Sequence, residues 1–228
     1  VVGPFLGGFL LTYFNFYILL VVVILVLILG IFPLLKIKEE KIRYGVSLND
    51  VFRKENYNNS PRYLIQGFRY LVTGVFWPIF IFYIVKEYFS LGLIFSGASI
   101  FSYSIIWLLS DKMDKVDKKL FSDFSGMLHG IVNFIKVFVN TFSQVFFVTI
   151  LSLVTFGVSE ISNNAIAFDQ ANKTKVMGFF VFREIILATA RITLLLIIFF
   201  SGLDLIASLK LSFIVLGITS IFQKFLSW

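Results

Sequence analysis

Apolar residues run through this chain in long unbroken blocks, and polar residues gather in the gaps between them. The clearest block is 16–35 (FYILLVVVILVLILGIFPLL), which holds no charged residue. A helix rises 1.5 Å per residue, so about 20 apolar residues cross a hydrocarbon core about 30 Å thick. Comparable blocks occupy 64–85, 89–109, 120–139, 144–164, 176–201 and 205–226, and 1–14 reads as the end of an earlier one. The pattern predicts an all-α polytopic transmembrane bundle of seven complete spans after one partial span.

The gaps alternate in length and charge. The longest, 36–63, carries Lys36, Lys38, Lys41, Arg43, Arg53, Lys54 and Arg62; 110–119 carries Lys112, Lys115, Lys118 and Lys119; 165–175 carries Lys173 and Lys175; and Lys224 lies in the tail. If the spans alternate in direction, these fourteen basic residues share one side, whereas the turns near 86–90, 140–143 and 202–204 hold only Lys86. The asymmetry predicts a multi-pass protein of the cell membrane (plasma or inner) with the long loop and the C-terminus cytoplasmic. Within that loop, Ser47-Leu48-Asn49-Asp50 predicts a capping box with Asp in place of Glu. Val46, Leu48, Val51 and Phe52 then form the apolar edge of a short helix on the membrane surface, ended by the segment 56–61.

Composition agrees. The chain is 58% hydrophobic and 14% charged, with thirty Phe, against about 45–50% and about 25% in soluble domains. Its mean hydropathy is +0.93. A lipid bilayer is therefore the expected surrounding, and the net charge of +7 belongs to the cytoplasmic loops rather than to nucleic-acid binding. The absence of Cys excludes a disulfide framework and thiolate metal sites.

Two motifs resemble the major facilitator superfamily of secondary transporters. Gly3-Pro4-Phe5-Leu6-Gly7-Gly8 resembles the GPxxGG part of the antiporter motif on the family's fifth helix. Small residues there allow close helix approach, and Pro bends the helix. Ser110-Asp111-Lys112-Met113-Asp114-Lys115, continuing to Lys118-Lys119, resembles the GxxxDRxGRRK loop between the eighth and ninth helices, with Trp107 and Asp114 at its two glycine positions. The resemblance covers the chain from the late fifth helix to the twelfth. It implies three parts: 1–35 as the end of an N-terminal bundle, 36–63 as a cytoplasmic linker, and 64–228 as a C-terminal six-helix bundle. It also implies partner helices of the same protein ahead of residue 1.

An ionisable side chain within a span faces protein or water rather than lipid. Arg191 lies near the middle of 176–201, with Arg183 and Glu184 about two turns earlier. Glu184 and Arg191 are expected to share a face without pairing. These residues either line a central cavity, binding substrate charge or coupling a proton, or bond structurally to neighbouring helices. Ser152, Thr155 and Ser159 form a polar stripe leading to Glu160, which is expected to staple to Arg183 and could also gate. Gln66, Arg69, Thr73 and Trp77 form a second stripe above a kink at Pro78, with Arg69 snorkelling or facing the cavity. Ser96, Ser99 and Tyr103 share a face, Tyr103 bonding a ligand or another helix. Gly126, His129, Asn133 and Lys136 form a third stripe. His129 there is expected to be a packed structural residue, and Lys136 and Lys210 to snorkel.

No GxxxxGK[ST], HExxH or Ser-His-Asp arrangement is present, so no catalytic role, cofactor or metal is expected. The resemblance implies secondary active transport of a small-molecule substrate by alternating access, with protons as the coupling ion. The GPxxGG motif leans toward efflux by antiport. Uptake of a sugar or metabolite, or a receptor or scaffold that keeps the fold without transport, are the alternatives.

Overall fold

Every regular element among the described residues is helical, as the pattern of blocks predicts. The structure, a computed structural model, describes residues 2–36, 45–113 and 117–226, without the side chains of 34, 110–113 and 226. The helices are α1 (Val2–Tyr13), α2 (Phe16–Leu35), α3 (Leu48–Val51), α4 (Ser60–Leu71), α5 (Trp77–Val85), α6 (Tyr88–Met113), α7 (Lys118–Lys136), α8 (Phe142–Ala171), α9 (Val176–Phe200), α10 (Leu205–Ile221) and α11 (Gln223–Leu226). Among the described residues, four stretches are long and apolar enough to cross a membrane: Phe16–Pro33, Leu48–Val85, Tyr88–Leu109 and Phe142–Ala171. Val2–Tyr13 and Leu205–Ile221 are apolar but shorter. Length and apolarity therefore mark fewer helices than the seven expected spans. In α9 the charged residues Arg183, Glu184 and Arg191 fall within nine central positions, and α7 carries a full polar face.

Local chemistry sets the boundaries. Thr141 and Gln144 form a capping box that starts α8, and Asp117 caps α7 by accepting from the backbone N–H of Lys119 (2.7 Å) and Leu120 (3.2 Å). Helix α8 runs on to Ala171, so most of the expected 165–175 loop is helical. Pro61 begins α4 rather than only ending the preceding segment, since its missing N–H is harmless in a first turn. Between α4 and α5 the backbone widens into a π-helical turn over Val72–Phe76. Pro78 cannot donate to the carbonyl four residues back, and the widened turn absorbs that missing bond.

In the bundle, α7 packs on α8 and α10, α4 on α9, α6 on α8, and α1 on α6. The apolar core gathers around Trp77, Phe80, Ile81, Phe213 and Leu216. Large apolar side chains also cover the outer surface, among them Phe147, Leu151, Ile192, Phe199 and Phe200. Helix α2 packs against α1 and buries none of its described residues.

Of the glycines in the GPxxGG segment, Gly8 makes the close approach. A Cβ there would lie 2.5 Å from the Tyr88 carbonyl oxygen, and one at Gly92 would lie 2.6 Å from that of Pro4. Gly3 and Gly7 face open space, with nothing within 4 Å of an added Cβ. The α1/α6 contact is therefore a backbone-to-backbone one that only paired glycines permit.

The predicted capping box is present. The Ser47 Oγ accepts from the Asp50 N–H at 3.2 Å, and Asp50 Oδ2 accepts from the Ser47 N–H at 3.3 Å. The short helix does not lie apart at a surface, however. Val51 is buried against α9 while Leu48 points outward. Lys175 Nζ sits 2.8 Å from Asp50 Oδ1, and the rings of Phe52 and Tyr57 pack on Phe182. Bonds from Lys175 and Ser47 hold the Asp50 carboxyl down at about 2.

Two outcomes test this packing. Gly8→Val or Gly92→Val should destabilise the protein by about 1–3 kcal/mol through overpacking, and Gly7→Val should leave thermal unfolding in detergent unchanged. Asp50 is a carboxyl with a depressed pKa. Its contribution is complete above its ordinary value of 3.8 and is lost as pH falls toward about 2. The difference in melting temperature between wild type and Asp50→Asn should stay constant above that ordinary value and shrink below it.

Candidate functional site

The polar stripes read from the sequence turn toward one another. Along α4, the turn after it and the start of α5, Arg62, Gln66, Arg69, Thr73 and Trp77 follow helical spacing, and all are buried. They meet the α7 stripe of Ser122, Gly126, His129, Asn133 and Lys136 and the α8 stripe of Ser152, Thr155 and Ser159, also buried. Buried polar residues thus run through the bundle beside its apolar core.

Two arginines anchor this axis. Arg62 donates to Asp123 Oδ1 at 2.8 Å and to Asn163 Oδ1 at 3.3 Å, and also to Ser122. Arg69 donates to Ser159, to Gln223 and, at 3.3 Å, to Ser220. Arg69 is 1% exposed, so it neither snorkels nor faces a cavity. Its three partners come from α8, α10 and α11, and Gly126 leaves the room it needs: a Cβ there would meet the Arg69 guanidinium at 2.8 Å.

Farther along, His129 bonds with Thr155 Oγ1 at 3.0 Å and lies 3.4 Å from Thr73 Oγ1. It is a packed interior residue, as expected. Thr73 thus turns toward His129, and it also borders a cleft of about 370 Å³ that α1 and α6 form with Gly74 and Pro78. Lys136 departs from expectation. It is fully buried, donates to Asn133 at 3.1 Å and lies 4.9 Å from the Trp77 ring centroid and 5.8 Å from that of Phe213. A buried ammonium is held here by aromatic faces and an amide. Lys210 is half-buried.

A second cluster flanks this axis. Glu160 Oε1 accepts from Gln66 Nε2 at 2.8 Å and from the Tyr70 hydroxyl. Arg183 donates to Gln66 Oε1 at 3.2 Å and to Asn164 Oδ1 at 2.7 Å, and stacks over Tyr63. The expected Glu160–Arg183 staple is therefore not a direct pair. Gln66 stands between the two, using its amide N for one and its O for the other. Tyr103 is exposed and lines a groove with Glu160 and Asn164.

Glu184 and Arg191 lie together on the outer face of α9. Their closest atoms are 3.7 Å apart, so they do pair, because long side chains span the two turns that separate the backbones. The side chains of Asp111 and Lys112, and Asp114 and Lys115 entirely, lie outside the described residues. No group of His, Cys, Asp and Glu among the described residues is arranged to hold a metal ion.

The stripes singled out Gln66, Arg69 and Thr73 but missed Arg62, Asp123, Tyr70 and Asn164. Extending the α4 stripe back one turn reaches Arg62, and extending the α7 stripe back reaches Ser122 and Asp123. Asn164 had no such signal, since it is placed by what α9 brings against it.

Breaking the Arg62–Asp123 pair should be costly. Arg62→Met leaves a buried unpaired carboxylate and should destabilise the protein by about 3–5 kcal/mol. Arg62→Met with Asp123→Leu should recover most of that loss in thermal unfolding. Compared with known protein families, with curated proteins and with solved structures, the chain matches none of them.

Proposed function

We propose that this protein is a secondary transporter of the major facilitator type. It moves a small molecule across the cell membrane by alternating access, with protons as the coupling ion and export as the direction. On this reading α1 and α2 belong to one helical bundle and the helices from α4 onward to the other, and the segment between them and the C-terminus are cytoplasmic.

The observation that carries the reading is the Glu184–Arg191 pair. Both residues lie well inside the 25-residue α9, and their side chains are 64% and 40% exposed. A charge facing hydrocarbon at a helix centre costs at least about 2.5–3.5 kcal/mol. That face of α9 therefore borders water or another part of the protein, as the wall of a central transport cavity does. The Gly8–Gly92 contact adds support. It joins the two proposed bundles through backbones with no side chain between them, a joint at which one bundle can rock on the other.

Flux in proteoliposomes carrying the full-length protein tests this. Under an imposed proton gradient, a panel of lipophilic cations and sugars should reveal one compound whose movement is coupled to protons. Arg191→Ala should abolish that flux. A folded protein that moves none of them would instead point to a receptor or scaffold.

A further inference from the structure

A proline inside a helix removes a donor, and the carbonyls it leaves behind need another partner. In the widened turn the Trp77 N–H donates to the Val72 carbonyl, five residues back. The Thr73 carbonyl thereby loses its α-helical donor. The next donor along the chain would be Pro78, which has no N–H. Pro78 is also the residue whose N–H would serve the Gly74 carbonyl in an α-helix. Two successive carbonyls therefore lack the bond that an unbroken helix provides.

Both belong to residues that line the cleft of about 370 Å³ beside α1. Gly74 has no side chain, so it presents its backbone there, and an added Cβ would meet nothing within 4 Å. The facing walls come from Pro4, Gly8 and Leu11 on α1 and from Leu91 and Phe95 on α6. They are apolar, and no charged residue lines the cleft among the described residues. Gly74 lies fourteen residues after the start of α4 and eleven before the end of α5, within a stretch long and apolar enough to cross a membrane. Neither helix end brings bulk water to its carbonyl, and an acceptor without a donor is costly in such surroundings.

We infer that this cleft binds a neutral amphiphile with a hydroxyl head, of the kind that a long-chain or polycyclic alcohol of the bilayer provides. The hydroxyl donates to the Thr73 or Gly74 carbonyl, and the apolar body lies against Leu11, Leu91 and Phe95. Charge argues for neutrality. A cation finds no counter-charge on these walls, and Arg69 stands one helical turn before Thr73. An anion would face carbonyl oxygens. A plain hydrocarbon would fill the cleft but leave both acceptors unmet. The volume lies within the range of small-molecule sites. An occupant touches α1, α6 and the widened turn together, so it bridges α1 to the segment that joins α4 and α5. The inference goes beyond the transport reading and does not rest on it, since binding is measured without flux.

Photolabelling of the purified full-length protein in nanodiscs by a tritiated, diazirine-bearing octanol tests this. Decanol and decyl methyl ether serve as competitors at equal concentration in the membrane; the ether keeps the chain and loses the donor. Label is expected on Leu11, Leu91 or Phe95, and decanol should displace it about tenfold more effectively than the ether. Pro78→Ala returns an N–H to the ladder, so labelling should persist while the advantage of the alcohol disappears. Gly74→Leu has room for its side chain, so the fold is kept, and covering the carbonyls should abolish labelling. Label mapped elsewhere, equal competition by alcohol and ether in wild type, an undiminished advantage in Pro78→Ala, or full labelling of Gly74→Leu would each overturn the inference.

Discussion

Two guanidinium groups sit inside this bundle with about 1% of their surface exposed, and their need for acceptors governs how the helices come together. Arginine carries five N–H donors in a rigid planar fork, and it stays charged when buried. Within a bilayer there is no water to complete the set. The acceptors must come from neighbouring helices at fixed places. Arg62 takes them from α7 and α8, and Arg69 from α8, α10 and α11. Gln223 links the two groups, because it accepts from Arg69 and donates toward Asp123, the carboxylate that pairs with Arg62. One carboxylate thus lies at the centre of a relay serving two cations, and the relay closes only when the last described helix is in place.

This constraint explains why buried polar residues thread the fold beside its apolar core. In lipid, apolar side chains gain little by leaving the surface, since the hydrocarbon is as apolar as they are. Association relies on close packing and interhelical hydrogen bonds instead. The structure uses both. Gly8 and Gly92 bring α1 and α6 into backbone contact, and the arginines, His129 and Lys136 tie the interior. Lys136 shows how far this goes: lacking a carboxylate within reach among the described residues, it rests on the faces of Trp77 and Phe213. The widened turn at Val72–Phe76 places Thr73 toward His129 just where Pro78 has already interrupted the helical ladder.

Helix α4 joins the interior of the bundle to the flanking cluster at Glu160. Arg62 and Arg69 point along the interior axis, whereas Gln66 and Tyr70 reach the flanking cluster that ends at Glu160 and the α6/α8 groove. Gln66 carries both charges of that cluster, one on each side of its amide. Glu160 and Arg183 are thus linked through a single side chain, and α9 also bears Glu184 and Arg191 on an exposed face.

Periodicity and composition by themselves determined that this chain is helical, that its outer surface is apolar, and that polar stripes run along three of its helices. Those features follow from local rules: helical spacing, capping chemistry at Ser47 and Thr141, and the demands of Pro61 and Pro78 on the backbone. Which stripe faced which was decided only by the tertiary structure. Arg69 and Lys136 were expected at an interface with water because a long cationic side chain near a helix end can snorkel. Both are buried because neighbouring helices supply oxygen atoms and aromatic faces that a one-dimensional pattern does not contain. Glu160 and Arg183 were expected as a pair from their charges, yet Gln66 intervenes because α4 lies between α8 and α9. Glu184 and Arg191 were expected apart from backbone distance alone, and side-chain reach closed the gap. Spacing along a helix is set by the chain itself, whereas the partner across a helix interface is set by packing.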